Sequence, residues 1–238
     1  MGFPPTRWSA IVAAQSGEAE QRRLGLSRIA ETYWRPVYKL LRLKWGKSHD
    51  EAGDLTQEFF VRVLEDDLLE SYDPAKGRLR TFLRACLDAL VMNDERDRGR
   101  LKRGGDRAIV PLDFELAERE LAAVPGAPSQ DPDAMFEAEW VRSVFGVALA
   151  RFHEECARSG RGHVFEVFER YDVSDADPRP TYASLAGELG IKVTDVTNHL
   201  AAARREMRRI TLDTLRDMTV SEDEFRREAR TLLGIEPA

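Results

Sequence analysis

The chain has 238 residues, of which 42% are hydrophobic and 33% charged, and its net charge is −6. This length fits one large or two small domains, and the apolar content suffices for a core. No apolar run approaches the ~18 residues of a membrane-spanning helix, and the first residues lack the pattern of a secretory signal. Two cysteines, Cys86 and Cys156, cannot make a disulfide framework, so we expect a reducing compartment.

Helical periodicity runs along the chain, and no sustained alternation of apolar and polar residues indicates a strand. The first long helical pattern covers about residues 18–45, and Pro36 inside it predicts a kink or a division. Ser48 and Glu51 have the spacing of a capping box and start the next helix. A further helix follows the turn at residues 72–77.

The chain divides into four parts. Residues 1–103 and 135–212 are predicted helical domains, and residues 213–238 form a C-terminal helical extension. Residues 104–134 are acidic and broken by prolines, so we expect a flexible linker with at most a short helix near residues 115–121. The predicted fold class is all-α, with two helical domains joined by this linker.

Charge is distributed unevenly. Residues 78–103 hold eight Lys or Arg and four Asp or Glu, a net of +4, and residues 199–210 have a net of +3. Between them, residues 104–140 hold nine acids and two bases, a net of −7. Each basic cluster is either a solvated helix face or part of a nucleic-acid site, and two clusters in separate helical units favour the second interpretation.

Residues 181–209 have the form of a helix-turn-helix motif. Gly190 provides the turn, and Thr194 is predicted to cap the second helix. Thr and Asn side chains near the start of such a helix suit base edges, and arginines further along suit phosphates. The alternative is an ordinary helical hairpin with a charged face. The candidate DNA-binding residues here are Thr194, Thr197, Asn198, Arg204, Arg205 and Arg208.

A polar face stands out on the helix that begins near Ser48. Asp54, Gln57 and Glu58 share this face, opposite the apolar stripe, and no neighbouring base is expected to balance the two carboxylates. Such a face suits a basic helix of a partner protein.

The stretch over residues 54–60, DLTQEFF, resembles the polymerase-binding helix of bacterial RNA polymerase sigma factors of the extracytoplasmic-function type. The resemblance continues through residues 77–105, the acidic linker and the helix-turn-helix motif, in the family's order, and covers about residues 7–209. It implies a sigma-two-like bundle in residues 1–103 and a sigma-four-like helix-turn-helix domain in residues 135–212.

The resemblance also implies a mechanism. Asp54, Gln57 and Glu58 would dock on the clamp helices of the largest subunit of core RNA polymerase. Residues 78–103 would bind and help open the promoter element nearest the start site, and the helix-turn-helix motif would read the farther element. The chain would thereby direct transcription initiation in the bacterial cytoplasm, with no membrane partner. The candidate DNA-binding residues of the first domain are Arg78, Arg80, Arg84, Asn93, Arg96 and Arg100.

Two other function classes stay open. A conventional helix-turn-helix regulator would bind DNA without core polymerase, and an adaptor would bind only proteins. A catalytic function is not expected, because the nucleotide-binding, hydrolase and metalloprotease motifs are absent. His153, Cys156 and His163 match no ligand spacing for zinc, so we predict no metal and no cofactor.

Control of the free chain is predicted to be electrostatic. The acidic linker and tail would compete with DNA for the basic surfaces, so the chain alone would bind promoter DNA weakly. Phosphorylation of Thr56 would add about −1.5 to −2 charges beside the acidic face and strengthen docking; the alternative is an ordinary exposed helix threonine. An anti-sigma factor and a Ser/Thr kinase both stay open as regulators.

Overall fold

The computed structural model describes residues 10–14, 18–65, 68–97, 112–123 and 131–234. Across these ranges the chain is helical with no strand, which confirms the all-α prediction. A short 3-10 helix precedes α4, and a π-helical turn follows α7. The helices are α1 Ala10–Ala14, α2 Ala19–Leu43, α3 His49–Glu65, α4 Leu79–Asp97, α5 Phe114–Ala122, α6 Pro132–Arg158, α7 Gly162–Phe168, α8 Tyr182–Leu189, α9 Val193–Asp217 and α10 Glu222–Leu233.

The chain forms two compact units. Unit 1 comprises residues 1–143 and 215–238, and unit 2 comprises residues 144–214. This division differs from the predicted boundaries, because α5 of the predicted linker and α10 of the C-terminal extension both contact helices of the first hundred residues. The functional roles assigned to the four predicted parts stay predictions.

Unit 1 is built around α2, whose side chains from Ile29 to Leu41 supply much of its core. Pro36 does not divide this segment, which is one helix over 25 residues. Tyr33 on one side of Pro36 and Val37 and Leu40 on the other are all buried, and this packing offsets the missing backbone hydrogen bond.

The contact between α1 and α2 depends on Gly25. A Cβ atom at Gly25 would overlap backbone atoms of Ala10 and Ala14. Ala10 and Ile11 are fully buried, so α1 is pressed against α2 backbone to backbone.

The start of α3 confirms the capping box. The Ser48 amide donates to Glu51 Oε2 at 3.0 Å, and the Glu51 amide donates to Ser48 Oγ at 3.3 Å. The cap fixes where the helix begins, and so which of its residues face the core.

Unit 2 has two apolar clusters. The first surrounds Phe152 of α6, whose ring lies 5.6 Å from Phe165 and 5.7 Å from Phe168. The second joins α8 to α9 through Leu185, Val196 and Leu200. The second cluster fixes α9 against α8 and decides which face of α9 reaches solvent.

Candidate nucleic-acid and protein interfaces

The acidic face of α3 is exposed. Asp54 and Glu58 reach solvent, Gln57 is half-buried, and the opposite side chains Leu55 and Phe59 are buried. Within the described ranges Asp54 has no ion-pair partner. Glu58 is balanced, contrary to the expectation, because Arg62 one turn later places Nη2 2.6 Å from its carboxylate.

Thr56 does not lie on this face. Its side chain is fully buried, and its hydroxyl donates to the carbonyl of Ala52 at 2.7 Å. The expectation of an exposed threonine is therefore wrong for this structure, and a kinase could reach the hydroxyl only if α3 moved. Thr56 continues the apolar stripe of Ala52, Leu55 and Phe59, and this spacing could have shown its burial from the sequence.

Arg80, at the start of α4, is only 3% exposed. Its Nε lies 2.5 Å from Glu137 of α6, its Nη1 lies 2.5 Å from Glu228 of α10, and its guanidinium carbon lies 4.3 Å from the ring centroid of Trp140. Burial disfavours the charged form, but the hydrogen bond and charge of Glu228 together with the charge of Glu137 outweigh it, so the pKa of Arg80 is raised. Arg80 is a buried cation here, which the sequence did not indicate.

The other α4 candidates lie in several environments. Arg84 is half-buried with Nη1 3.0 Å from Asp133 of α6, and Asn93 is exposed. The side chain of Arg96 and the whole of Arg100 lie outside the described residues. Among the described side chains of this group, only Asn93 is exposed without an ion-pair or hydrogen-bond partner in the described ranges.

Two carboxylates of α10 meet the polar groups that precede α4. Glu228 Oε1 lies 3.1 Å from Arg78 Nε, and the Tyr72 hydroxyl donates to Glu224 at 2.8 Å. Glu224 and Glu228 are 2% and 3% exposed, whereas Arg78 keeps nearly half of its side chain in solvent. Burial and the bond to Glu224 raise the pKa of Tyr72 above its usual value, so Tyr72 stays a neutral donor.

Helix α5 also holds its acids in contacts. The ring of Phe114 lies 5.7 Å from that of Trp34 and 5.2 Å from that of Tyr38. Glu118 accepts hydrogen bonds from Arg42 Nε at 2.9 Å and from the Tyr38 hydroxyl at 2.7 Å. Chiefly through the hydrogen bonds of Arg42, the pKa of Glu118 falls to about 2.

A buried lysine adds to this attachment. Lys39 of α2 is 3% exposed, and its Nζ lies 2.9 Å from Glu120 of α5 and 2.8 Å from Glu139 of α6. Glu120 belongs to the segment predicted to be a flexible linker, and Glu139 belongs to the start of the predicted second domain. Their partners are distant in sequence, so no local pattern could reveal the pairs.

The helix-turn-helix motif has the expected form in α8 and α9. The Ser184 amide donates to the Thr181 side chain at 3.1 Å, and Gly190 has a φ of 66° in the left-handed region between the helices. The cap predicted at Thr194 is wrong, because α9 already begins at Val193 and the Lys192 amide donates to Asp195 at 3.1 Å.

One face of α9 presents its candidate residues to solvent. The spacing of these residues places them along about 20 Å of the helix at 1.5 Å per residue. The exposed candidates are Thr194, Thr197, Asn198, Arg204, Arg205 and Arg208.

Arg204 differs from its neighbours on this face. Its Nε and Nη2 lie 2.8 and 2.9 Å from the two oxygens of Asp172, a bidentate pair that raises the pKa of Arg204. Arg205 and Arg208 have no acidic partner within the described ranges. Asp172 was missed by sequence reasoning because it lies 32 residues earlier.

The described ranges contain no group of three or more His, Cys, Asp or Glu side chains that could hold a metal ion. In the same ranges no helix has the length and apolar character needed to cross a membrane.

A comparison with known families gives a match that falls in unit 1. Residues 29–101 match the model of Sigma-70 region 2. No curated protein and no solved structure matches the chain at a significant level.

The Sigma-70 region 2 match covers about a third of the chain and contains both the acidic face of α3 and the arginines of α4. The helix-turn-helix motif of α8 and α9 lies outside the matched residues. The two candidate surfaces of unit 1 thus fall within one span of similarity, and the exposed α9 face lies beyond it.

Proposed function

We propose that this chain is a sigma factor of the extracytoplasmic-function type that binds core RNA polymerase and directs promoter recognition, DNA opening and transcription initiation. The observation that carries the proposal is the match of residues 29–101 to Sigma-70 region 2. The exposed α9 face, 90 residues and more beyond that match, supplies the second DNA-binding surface that such a factor needs.

The α3 face is the proposed polymerase-binding site. Asp54 and Glu58 are exposed carboxylates one turn apart on a helix whose other side is anchored in the core. A rigid acidic face of this kind suits the basic clamp helices of the largest polymerase subunit.

The α9 face is the proposed reader of the farther promoter element. Thr194, Thr197 and Asn198 near the start of α9 would face base edges, and Arg205 and Arg208 would hold phosphates. In unit 1, Arg84, Asn93 and the basic residues up to Arg103 would meet the element nearest the start site. The chain would act in the bacterial cytoplasm by binding rather than by catalysis.

Reconstitution with sigma-free core polymerase tests the proposal. The chain should direct transcription from its own promoter, and the double variant Asp54→Lys/Glu58→Lys should bind core polymerase at least about 10-fold more weakly, because charge complementarity across the interface is reversed. The matched control Glu20→Lys/Glu70→Lys changes two exposed acids elsewhere in unit 1 and should keep core binding.

Failure to co-purify with core polymerase, combined with tight and sequence-specific DNA binding by the chain alone, would contradict the sigma factor proposal. That result would instead support a conventional helix-turn-helix regulator. Binding to neither polymerase nor DNA would point to a protein adaptor.

A further inference from the structure

Helix α10 packs against Arg78 and Arg80 at the start of α4. All of these residues belong to unit 1. Glu228 contacts both Arg80, at 2.5 Å, and Arg78, at 3.1 Å. Glu224, one turn earlier in α10, accepts the hydrogen bond of Tyr72 at 2.8 Å. Two carboxylates at one-turn spacing therefore contact donors that lie just before α4 and in its first turn.

Burying the Glu224 and Glu228 carboxylates is unfavourable unless donors are present to bind them. Removing a carboxylate from water costs several kcal/mol, and a buried pair recovers this only when it is well hydrogen-bonded. Glu228 meets that condition through Arg78 and Arg80, and Glu224 meets it through Tyr72 and through the Val220 amide, which donates to its second oxygen at 2.9 Å. The attachment of α10 thus depends on these donors, and the donors are occupied as long as α10 stays in place.

The other contacts of α10 are weak enough to let the helix detach from the rest of unit 1. The helix has 12 residues, too few to be stable alone. Its apolar anchors in the core are small in number, chiefly Phe225 and Ala229, and its outer residues, including Glu222 and Asp223, are exposed. Elements with few buried apolar contacts are the ones that open at low free-energy cost.

The donors that hold these carboxylates also suit phosphate. Guanidinium groups form strong charge-assisted hydrogen bonds to either anion, and a neutral phenol can donate to both. A nucleic-acid backbone presents oxygens of the same charge to the same surface.

We propose that α10 is an internal mimic of the DNA backbone, in which Glu224 and Glu228 occupy the phosphate positions on Tyr72, Arg78 and Arg80 until DNA or polymerase displaces the helix. The proposal rests on the proposed function, because it identifies the α4 surface as a DNA site. It assigns the C-terminal extension a regulatory role in the free chain.

The full-length double variant Glu224→Gln/Glu228→Gln tests this mimicry. It retains the side-chain shape and one acceptor oxygen in each residue, which can still receive the Tyr72 hydroxyl, but it removes both charges. With a labelled 30-base-pair duplex and the corresponding single strand as probes, we expect about 10-fold tighter binding than for the wild type and a log-log salt slope steeper by about 2, since roughly 0.9 is gained per phosphate contact.

The matched control is Glu222→Gln/Asp223→Asn, which makes the same change in net charge on the exposed side of α10. It should alter DNA affinity by less than about 2-fold, because exposed charges are screened by solvent and salt, and this holds also for Glu222, which pairs with the exposed Arg216 at 2.8 Å. Equal strengthening by both double variants would overturn the proposal and leave net charge as the cause.

A variant without a charge change gives a second measurement. Phe225→Ala removes the apolar anchor of α10, so its amide hydrogens should exchange faster and DNA affinity should rise. The proposal would be contradicted if α10 exchanged faster in both Phe225→Ala and Glu224→Gln/Glu228→Gln while DNA affinity stayed unchanged. The helix would then have a purely structural role.

Wild-type protein provides the measurement if the variants fail to fold by circular dichroism. Saturating single-stranded DNA should then accelerate hydrogen exchange in α10 at least about 5-fold, because displacement opens the helix. Unchanged or greater protection of α10 would overturn the proposal.

These assays contain no polymerase, so the two proposals fail separately. If α10 stays protected while the wild-type chain supports transcription, only the mimicry is lost. If displacement is observed but core polymerase is never bound, the masked DNA site stands and the sigma factor assignment falls.

Discussion

Units 1 and 2 each carry arginines on a helix proposed to contact DNA, but the two sets differ in their surroundings. Arg80 of α4 is enclosed by two carboxylates and an indole ring, whereas Arg205 and Arg208 of α9 extend into solvent. Local charge density in the sequence indicates where a polyanion could bind. Contacts with residues distant in sequence decide whether those charged side chains are exposed to bind it.

Stability gives the largest expected contrast between the two helices. Arg80→Ala leaves Glu228 with Arg78 alone and Glu137, which reaches solvent, without its partner, and it should lower the free energy of unfolding of unit 1 by about 3 kcal/mol, the lower end for a broken buried pair. All four tryptophans lie within residues 1–143, so tryptophan fluorescence during urea unfolding reports on unit 1.

The counterpart in unit 2 is Arg205→Ala, which should change stability by no more than about 0.5 kcal/mol because the side chain is exposed. Circular dichroism during urea unfolding measures this change in stability. Comparable costs for the two substitutions would mean that the environments are not different in solution.

DNA binding by the α9 face sharpens the comparison in the opposite direction. Arg208→Ala should weaken binding of a duplex about 3-fold or more and lower the salt slope by about 0.9, the amount expected for one phosphate contact. The matched control Arg158→Ala removes another exposed arginine of unit 2 and should leave the slope as it is. An unchanged slope for Arg208→Ala would remove this residue from the interface.

Acid should loosen the attachment of α5 in unit 1. The pKa of Glu118 is lowered from 4.5 to about 2 in the fold, so its contribution is complete above pH 4.5 and is lost as the pH falls toward 2. Glu118→Gln should be less stable than the wild type at pH 6 and lose less stability between pH 4.5 and 2.

Arg42→Ala should remove the same pH-dependent part of the stability of unit 1, because Arg42 is the main cause of the lowered pKa of Glu118. Urea midpoints from tryptophan fluorescence at pH 6 and pH 3 provide the comparison. A Glu118→Gln variant that kept the full acid loss of the wild type would place the titrating group elsewhere.

The smallest effect concerns Arg204, the paired arginine on the otherwise open α9 face. Asp172→Asn should release it and strengthen duplex binding by about 2-fold to 5-fold, since an exposed pair is worth about 0–1 kcal/mol. The same charge change at exposed Asp175 is the control. An equal gain from Asp175→Asn would attribute the effect to net charge.

Local patterns accounted for much of the fold. The capping box of α3, the exposed carboxylates opposite Leu55 and the turn at Gly190 all follow from residues within a few positions of one another. The all-helical architecture follows from the same periodicity.

The sequence could not predict which charges would meet. Glu118 finds Arg42, and Glu228 finds Arg80, across 76 and 148 positions, and no helical spacing relates them. A hint did exist in α10, where two glutamates share the face of Phe225 and Ala229, since carboxylates in an apolar stripe require buried partners. Their identity needed the tertiary structure.

The absence of a side chain at Gly25 offers a genetic tool. One added methyl group would push α1 off α2 without altering any charge or any proposed contact. Gly25→Ala is therefore a candidate temperature-sensitive allele, through which the abundance of the whole protein could be lowered in living cells while each molecule that folds keeps its binding surfaces unchanged.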